Sequence, residues 1–209
     1  MNAKAYEKLD YTLALLSSAA EGKRQGCIIN SLHQATSSYP PKFTVTLNKG
    51  HETAKAVEAS GSFSVTLLAA DCPSELINDF GYKSGRVGDK FAAYEAQTDG
   101  AGNPYLKGHM VSRITCRVVG KLDLGGYMLY VGQAEEAEML DGGDVLTLSA
   151  FAQRGKPTPA GASVYRTVEI NGYRCPVCGY VYEGENPPPA DYRCPICNEP
   201  GSSFIKIEK

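Results

Sequence analysis

Two Cys-x-x-Cys pairs, Cys175/Cys178 and Cys194/Cys197, stand 15 residues apart within the last 35 residues of a 209-residue chain. Each pair can wrap one tight turn around an edge of a metal ion. Together they supply four thiolates at tetrahedral geometry. Zinc and iron both accept that donor set, so spacing alone leaves open a structural ribbon or a one-electron centre. The segment Asn171 to Lys209 has 39 residues, near the length below which a chain cannot bury enough apolar surface to fold unaided. A metal is therefore expected as its core.

A second set of residues with chemical potential lies upstream, at strand ends: Asn30 and Ser31, Thr36 and Ser37, then Asn48, Lys49, His51 and Thr53. The last group falls where a strand passes into a helix. Unpaired N–H groups and the positive dipole end of a helix start suit a phosphate, with Lys49 adding charge and Thr53 a hydroxyl. Standing alone, hydroxyl-rich strand ends of this kind are more often simple caps and turns. There is no Gly-x-Gly-x-x-Gly loop and no Walker loop. Three histidines (His33, His51, His109) supply neither a defensible triad nor a His-rich metal site.

The elements that must position these groups are mostly strands. Leu13 to Ser17 and Cys27 to Ser31 read as a hairpin across a turn at Glu21 to Gly26. Phe43 to Leu47 alternates as a third strand, opened by Pro40-Pro41. His51 to Glu58 has helix formers ended by Gly61, and Phe63 to Leu68 is again a strand. Ser74 to Phe80 reads as a short helix capped by Ser74 and stopped by Gly81. Three further β-rich runs follow, Val111 to Val119, Tyr127 to Gly132 and Val145 to Phe151, divided by Gly-rich turns. Short strands with few long helices predict a mainly β barrel rather than a doubly wound sheet. Arg154 to Ser163, rich in Pro, Gly and small residues, reads as a linker.

Composition narrows the function classes. Lys plus Arg is 21 and Asp plus Glu is 23, without the basic excess of a nucleic-acid binder. Of seven cysteines four have metal spacing, and the scattered Cys27, Cys72 and Cys116 fit a reducing compartment. Cys27 and Cys116 sit in apolar runs as expected of buried structural thiols. Acidic Glu7 and Asp10 precede the apolar run Tyr11 to Ala20, where a signal peptide would be basic. No run reaches membrane-span length. The expectation is a soluble, cytoplasmic protein with no nucleic-acid or membrane partner.

Asn30-Ser31, the Thr36 to Pro41 element, Asn48-Lys49 with Thr53, Phe63 to Leu68, and Phe80 to Arg86 follow one another in order. Together they resemble the flavin reductase family with the FMN-binding split-barrel fold, over about residues 5 to 165. The resemblance implies a homodimeric six-stranded split barrel with FMN near the subunit interface. It places Asn30 and Ser31 at the isoalloxazine edge, Thr36 and Ser37 along the ribityl and ring side, and Asn48, Lys49 and Thr53 at the phosphate. His51 sits in that turn, and Ser84 and Arg86 match a loop that covers the flavin. The flavin carries the chemistry, so no side chain is expected as a catalytic acid or base.

The tail, from Tyr173-Arg-Cys-Pro-Val-Cys-Gly-Tyr through Tyr192-Arg-Cys-Pro-Ile-Cys197 to Phe204, resembles the short rubredoxins that end rubrerythrins. That resemblance implies one iron held by Cys175, Cys178, Cys194 and Cys197, wrapped by Tyr173, Tyr180, Tyr182, Tyr192 and Phe204. The longer acidic insert of free-standing rubredoxins is missing. Asn198 stands where the second knuckle usually has Gly, in a left-handed turn that Asn can enter. The aromatic setting and the attached flavin-type domain favour iron over zinc.

The expected organisation is a barrel over 1–165, a linker ending at 166–170 and a rubredoxin-like domain over 171–209. That pairing resembles the high-molecular-weight rubredoxins of anaerobic bacteria. It implies electron flow from NADH or NADPH through FMN to the iron and on to an acceptor, typically a diiron flavoprotein reducing dioxygen or nitric oxide. Two alternatives stand beside it: a reductase releasing reduced flavin, with a structural zinc-ribbon tail, and a flavin-binding adaptor or sensor.

Overall fold

The computed structural model describes residues 8–140, 143–155, 159, 162, 172–177, 179–183, 186–195 and 197–207. In chain order the elements begin with β1 (Ala14–Ala20), β2 (Lys23–Ile29), β3 (His33–Gln34), β4 (Lys42–Asn48), α1 (Glu52–Ser60), β5 (Ser62–Leu68) and α2 (Ser74–Gly81). A 3-10 turn at Lys90–Ala93 leads to β6 (Ala96–Thr98), β7 (Pro104–Leu106), β8 (Met110–Asp123), β9 (Tyr127–Met139) and α3 (Leu148–Ala152). The tail holds β10 (Gly172–Arg174), β11 (Val181–Glu183) and β12 (Ile205–Lys206).

The main sheet is antiparallel, in the order β2-β1-β5-β8-β9-β4-β3. β1, β2, β4, β5, β8 and β9 are the six strands expected of the barrel, and two-residue β3 extends the β4 edge. Helix α1 packs against β1, β2, β4 and β5, bridging the two ends of the sheet. Because side chains alternate along a strand, β1 and β2 feed two cores. Ala14, Leu16, Cys27 and Ile29 point into the barrel with Val45, Leu47, Phe63, Val65, Cys116 and the α1 residues Ala54 and Val57. Leu15 and Ile28 point the other way, onto Ile77, Phe80, Phe91 and Phe151.

Local signals explain most boundaries. The β1–β2 turn is tighter than the sequence predicts: only Glu21 and Gly22 form it, at φ 52° and 74°. Two left-handed residues give the turn whose twist matches paired strands, so both strands run longer than read. His51 is the residue before α1, and Gly61 closes that helix at φ 69°, its N–H on the Val57 carbonyl. The expected Ser74 cap is absent. Pro73 is the preceding residue and makes no capping bond, and α2 runs through Gly81 to end at Tyr82.

The predicted strand Val145 to Phe151 is overturned. Val145 and Thr147 make isolated bridges to Ala69 and Thr12, and the chain then turns into α3. The Thr147 hydroxyl accepts from the Ala150 N–H at 3.2 Å, an N-cap, and Leu148 and Phe151 bury the same helical face. The alternating pattern of Val145-Leu-Thr-Leu concealed that start signal.

In β8 the register slips between Thr115 and Cys116 and again between Val118 and Gly120. Bulges of this kind increase curvature. Gly132 of β9 lies opposite, where an added Cβ would fall 2.5 Å from Phe63 Cζ and 2.7 Å from Cys116 Cβ. Among the described residues no helix is long and apolar enough to cross a membrane, and none of the described cysteines is disulfide-bonded. Cys27, Cys72 and Cys116 are buried. Gly132→Ala is expected to overpack the barrel and lower stability by about 1–3 kcal/mol, read as a fall in urea midpoint at unchanged slope.

Candidate functional site

The turn between β4 and α1 is built by local hydrogen bonds. The Asn48 side-chain oxygen accepts from the Gly50 N–H at 2.8 Å, and the His51 N–H donates to the Asn48 carbonyl at 3.0 Å. The Lys49 N–H reaches across to the Gly126 carbonyl in the β8–β9 turn at 3.1 Å. α1 therefore starts at the open end of the barrel, where its first N–H groups have no acceptor within the helix. Thr53 is buried in that first turn and its hydroxyl meets the Cys27 thiol.

A cavity opens beside this start. Its walls include Cys27, His51, Glu52 and Thr53, the segment Phe80 to Gly85, and Lys90; Val177 and Cys197 of the tail complete it. Sequence reasoning singled out His51, Thr53 and Ser84 here but missed the roles of Cys27 and Lys90. The Lys90 ammonium donates to the carbonyls of Phe80 and Lys83 at 3.3 and 3.1 Å, holding the loop after α2. Burial lowers its pKa to about 8, against the pull of the Asp79 carboxylate. Burial likewise pushes the Cys27 thiol up, so it stands protonated despite Lys90 and Thr53. Asp89 accepting from the Phe91 N–H was a local turn signal, but nothing in sequence marked Lys90 as half-buried.

The other expected residues separate into groups. Asn30 is buried just after β2. The Ser31 hydroxyl clips β4 by donating to the Thr46 carbonyl and accepting from the Thr46 N–H, both at 3.0 Å. Thr36 accepts from the Lys42 N–H at 2.9 Å, and Ser37 is exposed beside it. The Lys49 ammonium lies 2.5 Å from Asp123, in a separate hollow with Ala54, Glu58, Met128 and Tyr130. The Ser84 hydroxyl accepts from the Arg86 N–H at 3.2 Å. Arg86 pairs with Glu52 at 3.0 Å and with Glu199 of the tail. Desolvation would raise the Glu52 pKa, but its bonds from Lys55 and Arg86 hold the carboxyl below the usual range.

In the tail, β11-β10-β12 form a small sheet beneath two matching knuckles. The Cys175 N–H donates to the Tyr180 carbonyl and the Cys194 N–H to the Glu199 carbonyl, each at 2.8 Å. Gly179 and Asn198 then donate to the carbonyls of Cys175 and Cys194 at 3.0 and 2.9 Å. Both adopt left-handed backbone, φ 77° and 61°, so Asn198 enters the turn expected of it. The sulfurs of Cys175, Cys194 and Cys197 lie within 4.8 Å of one another, and Cys175 and Cys197 approach to 3.4 Å. Thiolates about 2.3 Å from a tetrahedral metal stand about 3.8 Å apart, so the three fit one ion. Cys178, the expected fourth ligand, lies outside the described residues. Tyr173, Tyr180, Tyr182, Tyr192 and Phe204 pack around the thiols, with edge-on contacts at 4.8 to 6.5 Å between their rings.

A barrel of this topology, a cavity at its first helix and a thiolate cluster in a separate small sheet define a two-part protein with a ligand-binding and a metal-binding half. Residues 6–156 match the flavin reductase like domain, and 173–205 match the rubrerythrin, rubredoxin-like domain. The chain is 36% identical over 167 residues to a ferric-chelate reductase (NAD(P)H) of Archaeoglobus fulgidus, covering 79% of this chain and 98% of the relative. It is 30% identical over 217 residues to a high molecular weight rubredoxin of Moorella thermoacetica, covering 99% and 92%. Its barrel superposes on the NADH:FAD oxidoreductase of Streptomyces globisporus with a TM-score of 0.63 at 16% identity, over 70% of this chain and 86% of that one. The chain belongs to the flavin reductase-like family and carries a C-terminal rubredoxin-like domain.

Two outcomes test these placements. Asn198→Gly should keep the metal as the parent does, whereas Asn198→Val should cost about 1–2 kcal/mol in the left-handed turn and speed metal loss to a chelator. Lys90 has a folded pKa of about 8 below its reference of 10.5, so the unfolded chain binds the extra proton between those values. Stability contributed at this site therefore rises with pH through that window. In paired urea melts the parent should gain on Lys90→Met from pH 8 to 10.5; parallel curves would contradict the burial of the ammonium.

Proposed function

We propose that this chain is an NAD(P)H-dependent oxidoreductase that passes electrons through FMN to a mononuclear iron centre and on to an acceptor protein. The observation that carries the reading is the shared wall: Cys197 of the metal cluster and the start of α1 line one cavity. When bound, the flavin takes a hydride from nicotinamide and the iron takes one electron at a time, so together they turn a two-electron donor into one-electron output.

The chain's residues supply position and electrostatics. The first-turn N–H groups of α1 and Thr53 would take the FMN phosphate, as the dipole end of a helix favours an anion. Asn48 shapes the turn and His51 lies at its rim. Burial lowers the His51 pKa, opposed by its bond to the Val177 backbone, so the ring is neutral at neutral pH and adds no charge. Lys49 would have to leave Asp123 to reach the phosphate. Asn30 and Ser31, with Thr36 and Ser37, would flank the ring and ribityl chain, and Ser84 and Arg86 would hold the covering loop. Cys175, Cys194 and Cys197, with Cys178, would hold the iron, and the aromatic shell would limit water at the thiolates.

Domain limits of 1–165 and 171–209, with 166–170 ending the linker, accord with the family matches at 6–156 and 173–205. A homodimer is supported by the β8–β9 hairpin, which exposes Val119, Leu122, Leu124 and Tyr127, apolar residues that a second copy could cover. The acceptor is proposed to be a diiron flavoprotein and the compartment the cytoplasm, where buried free thiols persist. The relatives are a ferric-chelate reductase and a rubredoxin, which supports a one-electron outlet over a tail of structural zinc. Anaerobic mixing of the purified chain with NADH or NADPH is expected to bleach the flavin bands first and the ferric–thiolate bands second. A chain that contains zinc, or whose iron stays ferric while the flavin is reduced, would refute the reading.

A further inference from the structure

The tail is seated on its own barrel. Arg86 bridges Glu52 at the start of α1 to Glu199, two residues beyond Cys197. The side chains of Glu52 and Glu199 are 24% and 16% exposed and that of Arg86 38%, so the carboxylates are partly desolvated while the guanidinium between them remains open to solvent. The backbones also meet closely. A Cβ added to Gly50 would lie 3.4 Å from the Pro176 carbonyl oxygen and 3.6 Å from Val177 Cα. Val177 of the first knuckle and Cys197 of the second both line the cavity.

With the tail docked, the Cys197 side of the thiolate cluster faces the barrel cavity and is covered from an outside protein. The connection permits release. Pro159 is buried against Gly81 and Ala162 is buried beside it, which leaves nine residues, 163–171, between Ala162 and Gly172; at full stretch they span at most about 32 Å. A tether of this length also keeps the two parts at high effective concentration, so weak contacts suffice for re-docking.

We propose that the metal-binding domain docks in cis on its own barrel through the Glu52–Arg86–Glu199 clasp, and that this clasp is a latch that opens to present the Cys197 side to an acceptor. The inference rests on the electron-outlet reading for its purpose, but the latch itself is a matter of geometry. Its strength must fall as salt rises, since solvent-accessible ion pairs are weak and are screened by salt.

The test uses the full chain loaded with zinc, which carries no redox step. Hydrogen exchange of amides 50–54 and the radius of gyration from small-angle scattering report docking directly. Low salt should protect those amides and give the compact form. Salt of about 1 M, where the Debye length is about 3 Å, should raise their exchange by up to about fivefold and enlarge the particle. Glu199→Arg should do the same at low salt, and so should Arg86→Glu. In a Glu52→Gln background, which removes the carboxylate that would repel Glu at position 86, the charge swap Arg86→Glu with Glu199→Arg should restore both readouts. The latch is overturned if salt and both single variants leave protection and size unchanged in chains of parental circular dichroism and zinc content, or if the swap restores neither. Failure of NAD(P)H to reduce the iron-loaded chain would strike the electron path alone and leave the zinc result standing.

Discussion

The turn from β4 into α1 is the constraint on which the remaining structure depends. A barrel sheet with two unpaired edges must be bridged by something that brings its own backbone hydrogen bonds, and a helix does so. Asn48 and the Gly126 carbonyl fix where that helix begins. Its first turn is thereby left at the barrel mouth, beside Cys27 and the loop held by Lys90. The same point receives the tail, because Gly50 offers no side chain against Pro176 and Val177. One turn thus sets the bridge across the barrel, the anion-ready pocket and the seat of the metal domain.

Two kinds of stabilisation divide the molecule. The barrel is held by apolar burial on both faces of β1 and β2, large enough to tolerate a half-buried lysine and the buried pair Arg113 and Asp99, whose charge network opens to solvent at Glu136 and Glu138. The tail has a core of thiols, one valine and an aromatic rim. Its folding is tied to the ion, since metal binding to such a set is folding free energy. This difference explains why the tail depends on backbone conformation at two residues, Gly179 and Asn198, while the barrel depends on volume, as at Gly132.

Much of this was legible in the chain. Alternation marked the strands, Gly61 marked the end of α1, and the Cys-x-x-Cys pairs with their tyrosines marked the tail, because each is a short-range pattern with one physical reading. Errors arose where a local pattern had two. Val145-Leu-Thr-Leu alternates like a strand, yet Thr147 caps a helix whose Leu148 and Phe151 fill the core. The hairpin turn was read as six residues because Gly22 and Gly26 both look like turn residues. Only Gly22 lies in the turn; Gly26 is in β2, where a Cβ would meet Phe91 at 2.9 Å.

By itself the sequence determined a thiolate site for one metal, a mainly β barrel and the hydroxyl-rich strand ends, since composition and spacing act over a few residues. Only the tertiary structure decided which of those groups share a space. It joined His51, Thr53 and Ser84 with the unsuspected Cys27 and Lys90, sent Lys49 to Asp123, and put Arg86 between two carboxylates 147 positions apart, Glu52 and Glu199. Burial and pairing across such separations depend on how the sheet curves and where α1 begins, which no local pattern carries.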